Sequence, residues 1–176
     1  MQDRAGVPER RLSGDARIES RYERYRTVTH NDVLRSLRYL LNVGDGALAD
    51  IARLAGGEVS KADMAAFLKT EDEQGYRPCG DHVMAHFLNG LVIHKRGVDP
   101  NRPPQPLEIP VTNNTVLKKL RVAFELKDSD ITSLIEKSGL RVSKAELGAF
   151  FRRLDHRNYR DCGDQFLRNL LKAMTF

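Results

Sequence analysis

An internal repeat constrains this chain more than any other feature of its sequence. Residues 31–93 align with residues 114–176 without a gap, and 20 of the 63 aligned pairs are identical. The longest polar piece of the match is Tyr-Arg-x-Cys-Gly-Asp, which occurs at 76–81 and again at 159–164. A gapless match over a whole unit indicates duplication. We therefore predict two copies of one structural unit in tandem.

Prolines separate the two copies. Five of the seven prolines lie in residues 98–112, and proline is excluded from helix interiors and central strands. We therefore predict copy 1 at 29–97, an extended linker at 98–112 and copy 2 at 113–176. Residues 1–28 precede the repeat and carry charges of both signs, so we expect an N-terminal extension that is disordered or not natively translated. The alternatives are a functional basic arm and a natural start at Val28, encoded by GTG.

Hydrophobic periodicity predicts four helices in each copy. In the first helix, Leu34, Leu37 and Leu41 recur at the spacing of one buried helical face. The third helix of each copy begins at a serine with capping-box spacing, Ser60 or Ser143. A unit of 64 residues buries only about 60% of its chain surface when it folds alone. We therefore predict an all-α fold in which two homologous four-helix units pack together with pseudo-twofold symmetry.

The second helix of each copy is short and has recognisable ends. We expect Asp45 and Asp128 to cap its start, because a side-chain oxygen accepts hydrogen bonds from the free amides of the first turn. Gly56 and Gly139 follow its last apolar residue, where glycine adopts the left-handed conformation at low cost.

Composition excludes several classes of protein. Leu, Ile, Val and Phe supply 46 of the 176 residues, which exceeds the roughly 20% below which a highly charged chain stays disordered. No apolar run approaches the ~18 residues of a membrane helix, and the N-terminus lacks the apolar core of a signal peptide. Two cysteines are too few for a disulfide framework. We expect a cytoplasmic protein that does not enter the membrane, and we find no cofactor-binding signature.

Several segments resemble one family. They are Asn-Asp-Val-Leu-Arg-x-Leu-Arg-Tyr at 31–39, Lys-Thr-Glu-Asp-Glu-x-Gly-Tyr at 69–76, Asn-Asn-x-Val-Leu-Lys-Lys-Leu-Arg at 113–121 and Cys-Gly-Asp-Gln-Phe-Leu-Arg at 162–168. In these segments the chain resembles the YehS-like family, bacterial proteins with two tandem copies of a domain of unknown function. The resemblance implies an all-helical bacterial protein and brings no activity, cofactor or catalytic residue.

The repeated Tyr-Arg-x-Cys-Gly-Asp motif carries the most polar chemistry. With the aspartate four residues ahead of each tyrosine, its candidate residues are Asp72, Tyr76, Arg77, Cys79 and Asp81, and Asp155, Tyr159, Arg160, Cys162 and Asp164. In a structural interpretation, the last aspartate of each motif lies at a helix start, where a carboxylate is favoured, each arginine forms an ion pair with the upstream aspartate, and the cysteine is buried. A functional interpretation has the two arginines bind phosphate or carboxylate. Both interpretations remain open at this stage.

Metal binding and catalysis receive less support. Cys79, His82 and His86 have helical spacing that places a thiolate and two imidazoles, which are zinc ligands, on one face. Copy 2 has Gln165 and Asn169 at the two histidine positions, so the feature is not duplicated and we predict no metal site. No nucleophile–base pair, phosphate loop or carboxylate dyad stands out, so we predict that the protein is not an enzyme.

Charge differs between the copies. Residues 30–97 hold 8 Lys and Arg against 9 Asp and Glu, whereas residues 113–176 hold 13 against 8. The candidate phosphate contacts of copy 2 are Lys118, Lys119, Arg121, Arg152, Arg153 and Arg157. Basic surfaces attract nucleic acid, but the third helix is too apolar for a typical groove-reading helix. We predict a non-catalytic binding or adaptor protein with an unidentified protein partner; the alternative is a nucleic-acid-binding regulator that uses copy 2.

Overall fold

The computed structural model describes residues 27–176, so nearly all of the predicted N-terminal extension lies outside the described residues. This part of the chain contains no strand, which confirms the all-α prediction. None of its helices has the length and apolar composition needed to cross a membrane. The helices are α1 (His30–Leu41), α2 (Asp45–Leu54), α3 (Lys61–Leu68), α4 (Asp81–Arg96), α5 (Asn113–Ala123), α6 (Asp128–Lys137), α7 (Lys144–Phe150) and α8 (Asp164–Met174).

Helix starts follow the duplicated sequence. Thr29 and Thr112 form capping boxes that open α1 and α5, the first helix of each copy. Ser60 forms the predicted capping box at the start of α3. At the start of α7 the Ser143 hydroxyl accepts from the Glu146 amide, but the Glu146 side chain does not accept from the Ser143 amide, so the capping box predicted there is incomplete. These bonds satisfy amides that have no partner inside the helix, so local sequence sets each start.

The prediction that Asp45 and Asp128 cap the second helices is wrong. Each is the first helical residue of α2 or α6, and its side chain makes no capping bond. Instead, Asp45 Oδ1 lies 3.4 Å from a guanidinium nitrogen of Arg38, and Asp128 Oδ1 lies 3.0 Å from one of Arg121. A carboxylate one position inside the helix thus pairs with a cation of the preceding helix.

Backbone irregularities also repeat between the copies. Gly56 and Gly139 have φ angles of 85° and 84°, which confirms that each takes the left-handed conformation just after the second helix. Asn42 and Glu125 end the first helices at matching positions, and both have a φ of 53°. These matching φ angles show that the backbones of the two copies have the same local geometry at the ends of their helices.

The two copies pack against each other through reciprocal helix pairs. Within the copies, α2 contacts α3 and α4, and α6 contacts α8. Between them, α4 packs against α5 and α1 packs against α8, so the first helix of each copy meets the fourth helix of the other. Buried apolar side chains from both copies form one hydrophobic cluster. This arrangement agrees with the predicted pseudo-twofold packing.

The linker returns along α4. The Asn89 side-chain amide donates to the carbonyls of Gln105 and Pro106, at 3.2 and 3.3 Å. The Val111 amide then donates to Asp81 Oδ1 at 3.2 Å. Because Asn89 lies in the second half of α4 and Asp81 at its start, the linker runs antiparallel to this helix and delivers the chain to α5.

Candidate functional site

A buried asparagine fixes the repeated motif of copy 1. The motif covers the end of turn 1 (residues 69–80), which connects α3 to α4, and its aspartate is the first residue of α4. The Asn31 side-chain amide donates to the carbonyls of Phe67 and Arg77, both at 2.8 Å, and its oxygen accepts from the Cys79 amide at 3.0 Å. One side chain of α1 therefore bonds three backbone groups of the turn and its flanks.

Copy 2 repeats this clamp in turn 2 (residues 152–163), which connects α7 to α8. The Asn114 amide donates to the carbonyls of Phe150 at 3.0 Å and Arg160 at 2.8 Å, and its oxygen accepts from the Cys162 amide at 2.8 Å. Sequence analysis did not single out these asparagines. The available signal was a polar residue that is identical in both copies on an otherwise apolar helix face.

The two cysteines are unsuited to nucleophilic chemistry. Cys79 and Cys162 are free and buried. Burial, and to a lesser extent the neighbouring carboxylate, raises the pKa of each thiol to about 12. Since the thiolate is the nucleophile and the metal ligand, neither residue is reactive at neutral pH in the folded chain.

The motif aspartates connect the fourth helix of each copy to the first. Asp81 accepts from His30 Nε2 at 2.8 Å, and this hydrogen bond is the main cause that lowers the pKa of the Asp81 carboxyl. In copy 2, the Asn113 side-chain amide donates to Asp164 Oδ1 at 2.8 Å. Both aspartates are the first residue of their helix, as the structural interpretation expected.

The motif arginine of copy 1 is held by the protein. Arg77 donates to Asp63 Oδ1 at 2.7 Å, and its guanidinium lies 5.1 Å from the centre of the Phe67 ring. The expected bridge from Arg77 to the upstream Asp72 is therefore not formed. Asp72 accepts from the Thr70 hydroxyl at 2.6 Å instead, because the turn places this carboxylate beside its own first residues.

The motif arginine of copy 2 differs. The Arg160 side chain is exposed and forms no ion pair within residues 27–176. Upstream, Asp155 pairs with Arg153 at 3.2 Å, so the expected bridge to Arg160 is also absent. The Tyr159 hydroxyl donates to Asp161 at 2.9 Å, and partial burial is the main cause that raises the pKa of this tyrosine.

The six predicted phosphate contacts separate into two groups. On α5, Lys119 is only 12% exposed, lies 3.8 Å from Glu108, and has a pKa that burial lowers. Arg121 pairs with Asp128, and its guanidinium stacks 4.4 Å from the centre of the Phe151 ring. Lys118 is half-buried on the same helix, whereas Arg152, Arg153 and Arg157 are exposed in turn 2.

Turn 2 exposes four arginines and one leucine. We define the basic turn as Arg152, Arg153, Leu154, Arg157 and Arg160, all of which are exposed. Leu154 is 79% exposed, which is unusual for a large apolar residue in an arginine-rich turn. At the positions matching 154–156, turn 1 carries three acidic residues in sequence, Glu-Asp-Glu at 71–73.

The structure does not assemble the histidine–cysteine arrangement. His86 Nδ1 is hydrogen-bonded to the Ala55 carbonyl at 2.9 Å, and Cys79, near the end of turn 1, is buried. Across residues 27–176, no group of three or more His, Cys, Asp and Glu side chains has the geometry to hold a metal ion.

Comparison with known proteins identifies relatives of unknown role. A family model described as "Protein of unknown function (DUF1456)" matches residues 30–97 and 113–176, which are α1–α4 and α5–α8. "Uncharacterized protein YehS" of Escherichia coli (strain K12) is 44% identical over 145 residues, which cover 82% of this chain and 93% of the relative. No solved structure matches the chain.

Proposed function

This chain belongs to the DUF1456 family of proteins of unknown function, and we propose that it is a non-catalytic binding protein that recognises an acidic segment of a partner protein through the basic turn. Membership confirms the resemblance to the YehS-like family. Since that family brings no activity with it, the proposal rests on the side chains of this chain.

The main support for this proposal is the set of exposed residues in the basic turn. Four exposed arginines and an exposed leucine lie on one turn, and Asn114 holds the backbone of this turn. Guanidinium groups bind carboxylates through paired, charge-assisted hydrogen bonds, and an apolar side chain beside them adds contact area. Because Asn114 holds the backbone of the turn before binding, the conformational entropy lost on docking comes mainly from the arginine side chains.

The motif chemistry favours binding over catalysis. Both thiols are protonated at neutral pH, and the motif aspartates are hydrogen-bonded at helix starts. These groups support the backbone of the turn, while the arginines on its outer side face solvent. The conserved geometry of the two turns thus provides a scaffold on which the exposed residues differ.

Nucleic acid is the second candidate ligand, because four exposed arginines also suit phosphates. The α5 residues predicted to extend this surface are used elsewhere: Lys119 is largely buried, and Arg121 pairs with Asp128. A phosphate-binding surface would therefore be confined to one turn, which favours a short acidic protein segment over a nucleic-acid backbone that follows a long basic track.

Binding to two defined probes tests the proposal. We would measure fluorescence anisotropy of a labelled hexaglutamate peptide, and of a labelled single-stranded DNA, with the full chain. The variant is R153E/R157E, and the control is K127E/K144E, which makes the same charge change at exposed lysines of copy 2. We expect only R153E/R157E to weaken peptide binding, by about tenfold or more.

Two outcomes would contradict the proposal. Equal peptide affinity for R153E/R157E and K127E/K144E would show that the basic turn is not the binding surface. Tighter binding of the DNA than of the peptide, with a steep salt dependence that R153E/R157E removes, would establish the nucleic-acid alternative instead.

A further inference from the structure

Copy 2 has an apolar groove at the C-terminal end of α8. The basic turn precedes the N-terminal end of the same helix. Its cavity volume is about 680 Å³, within the range of ligand-binding sites. Apolar side chains from four helices or their ends line it, among them Leu40, Phe124, Leu134 and Met174, together with the exposed Lys137 and Lys172. We call this cavity the copy 2 groove.

The matching face of copy 1 is closed by tight helix packing. Gly90 stands where copy 2 has Ala173, and a Cβ at Gly90 would lie 1.8 Å from the Ile51 carbonyl oxygen. The backbones of α2 and α4 therefore touch in copy 1. The packing of α6 and α8 is less extensive, and the groove opens between them.

The linker also contacts the matching face of copy 1, at one residue. Asn89, which matches Lys172, donates its side-chain amide to the carbonyls of Gln105 and Pro106. Leu107, the next residue, packs against the hydrophobic core. In copy 1, the residue that matches Lys172 thus binds the backbone carbonyls of an extended segment.

We propose that the copy 2 groove binds an extended segment of a partner protein in which apolar side chains alternate with carboxylates. The extended geometry follows from the linker on copy 1. The carboxylates follow from charge, because copy 2 replaces Asn89 with Lys172 and Leu54 with Lys137. Neither lysine forms an ion pair with any residue of 27–176, so an acidic segment supplies their complement.

Charge also favours a partner over segments of this chain. Residues 1–26 hold seven arginines against five acidic residues, so their net charge has the same sign as the two groove lysines. The acidic residues 71–73 of a second copy lack an apolar residue between them. An external segment with both properties fits the groove better. This proposal is independent of the basic turn, which lies at the other end of α8.

A peptide taken from the linker is a suitable probe. Residues 103–111, Pro-Pro-Gln-Pro-Leu-Glu-Ile-Pro-Val, already alternate Leu107, Glu108 and Ile109. We would label this peptide, add it to the full chain and measure fluorescence anisotropy. We expect K137E/K172E to weaken binding by about tenfold, with K127E/K144E unchanged as the charge-matched control. A peptide with Glu108→Lys should restore binding to K137E/K172E, since the charge pairing is then reversed.

A groove-filling change gives a second readout. Ala173→Phe places an aromatic ring in the groove and should abolish peptide binding. Because this variant also risks disturbing α8, the surface lysine variants keep the proposal testable if it unfolds. R153E/R157E should leave the affinity for this peptide unchanged. This variant therefore distinguishes a failure of the groove proposal from a failure of the proposal that the basic turn binds an acidic segment.

Four results would overturn the proposal. The first is no binding of the peptide to the full chain, and the second is equal affinity for K137E/K172E and K127E/K144E. The third is an affinity that rises about tenfold when residues 1–26 are removed, which would identify the chain's own N-terminal segment as the occupant. The fourth is a dimer in sedimentation experiments that Ala173→Phe dissociates, which would identify a second copy.

Discussion

Copy 1 and copy 2 share a buried framework and differ where they meet solvent. Both hold the turn between third and fourth helices with one asparagine, and both bury the motif cysteine. Copy 1 carries an acidic turn and a closed face where α2 meets α4, whereas copy 2 carries the basic turn and an open groove. The duplication has thus kept the groups that fix the backbone, while many exposed positions have diverged.

The largest expected effect is at the closed face of copy 1. Gly90→Ala introduces a methyl group that would lie 1.8 Å from the Ile51 carbonyl oxygen, so α2 and α4 must separate. We expect a loss of about 3 kcal/mol in the free energy of unfolding, measured by chemical denaturation. The matched change in copy 2, Ala173→Gly, should cost only about 1 kcal/mol, through helix propensity. Similar losses at both positions would refute the contrast between the closed and open faces.

The next effect tests the shared framework. Asn31→Ala leaves two carbonyls and one amide without their partner, and Asn114→Ala does the same in copy 2. Each change should reduce the free energy of unfolding by about 2–3 kcal/mol, because unsatisfied buried polar groups are costly. Asn158→Ala, at an exposed position of turn 2, is the control and should have almost no effect. A large loss for only one of the two clamp variants would show that the copies are not held in the same way.

Sequence patterns predicted the helices better than the side-chain contacts. The serine caps of α3 and α7 and the pseudo-twofold packing follow from local spacing and from the duplication. The role of Asn31 could not be predicted from local spacing. Its partners lie 36 and 46 residues away and contact it only after the helices pack. Similarly, Lys119 occupies a solvent-facing position in a helical pattern of α5, yet it is largely buried in the folded chain.

The hydrogen bond between His30 and Asp81 at the start of α4 predicts a pH effect that is specific to copy 1. The hydrogen bond from His30 lowers the pKa of Asp81, so the folded state favours the ionised carboxylate. This contribution is present above the ordinary carboxyl pKa and is lost as the pH falls through the lowered value. Because the side chain is 37% exposed, we expect Asp81→Asn to cost only about 0.5 kcal/mol at neutral pH.

Denaturation at several pH values checks this sign. The difference in free energy of unfolding between Asp81→Asn and the unchanged chain should shrink as the pH falls below about 4, where the carboxylate of the unfolded chain is protonated. A difference that stays constant down to pH 3, or that grows there, would show that the ionised form of Asp81 does not stabilise the fold.

The smallest effect compares the two motif arginines. Arg77 bonds Asp63 and lies over the Phe67 ring, so Arg77→Ala should lower the melting temperature by about 2 °C, as expected for one exposed ion pair with a ring contact. Arg160 is exposed and forms no ion pair within the described residues, so Arg160→Ala should leave the melting temperature unchanged. Thermal melts of the two variants measure whether the two arginines differ in their contribution to stability. Equal losses would place both arginines in the framework and weaken the assignment of Arg160 to the basic turn. An unchanged melting temperature for Arg160→Ala, together with weaker peptide binding, would show that this arginine acts on a partner and not on the fold.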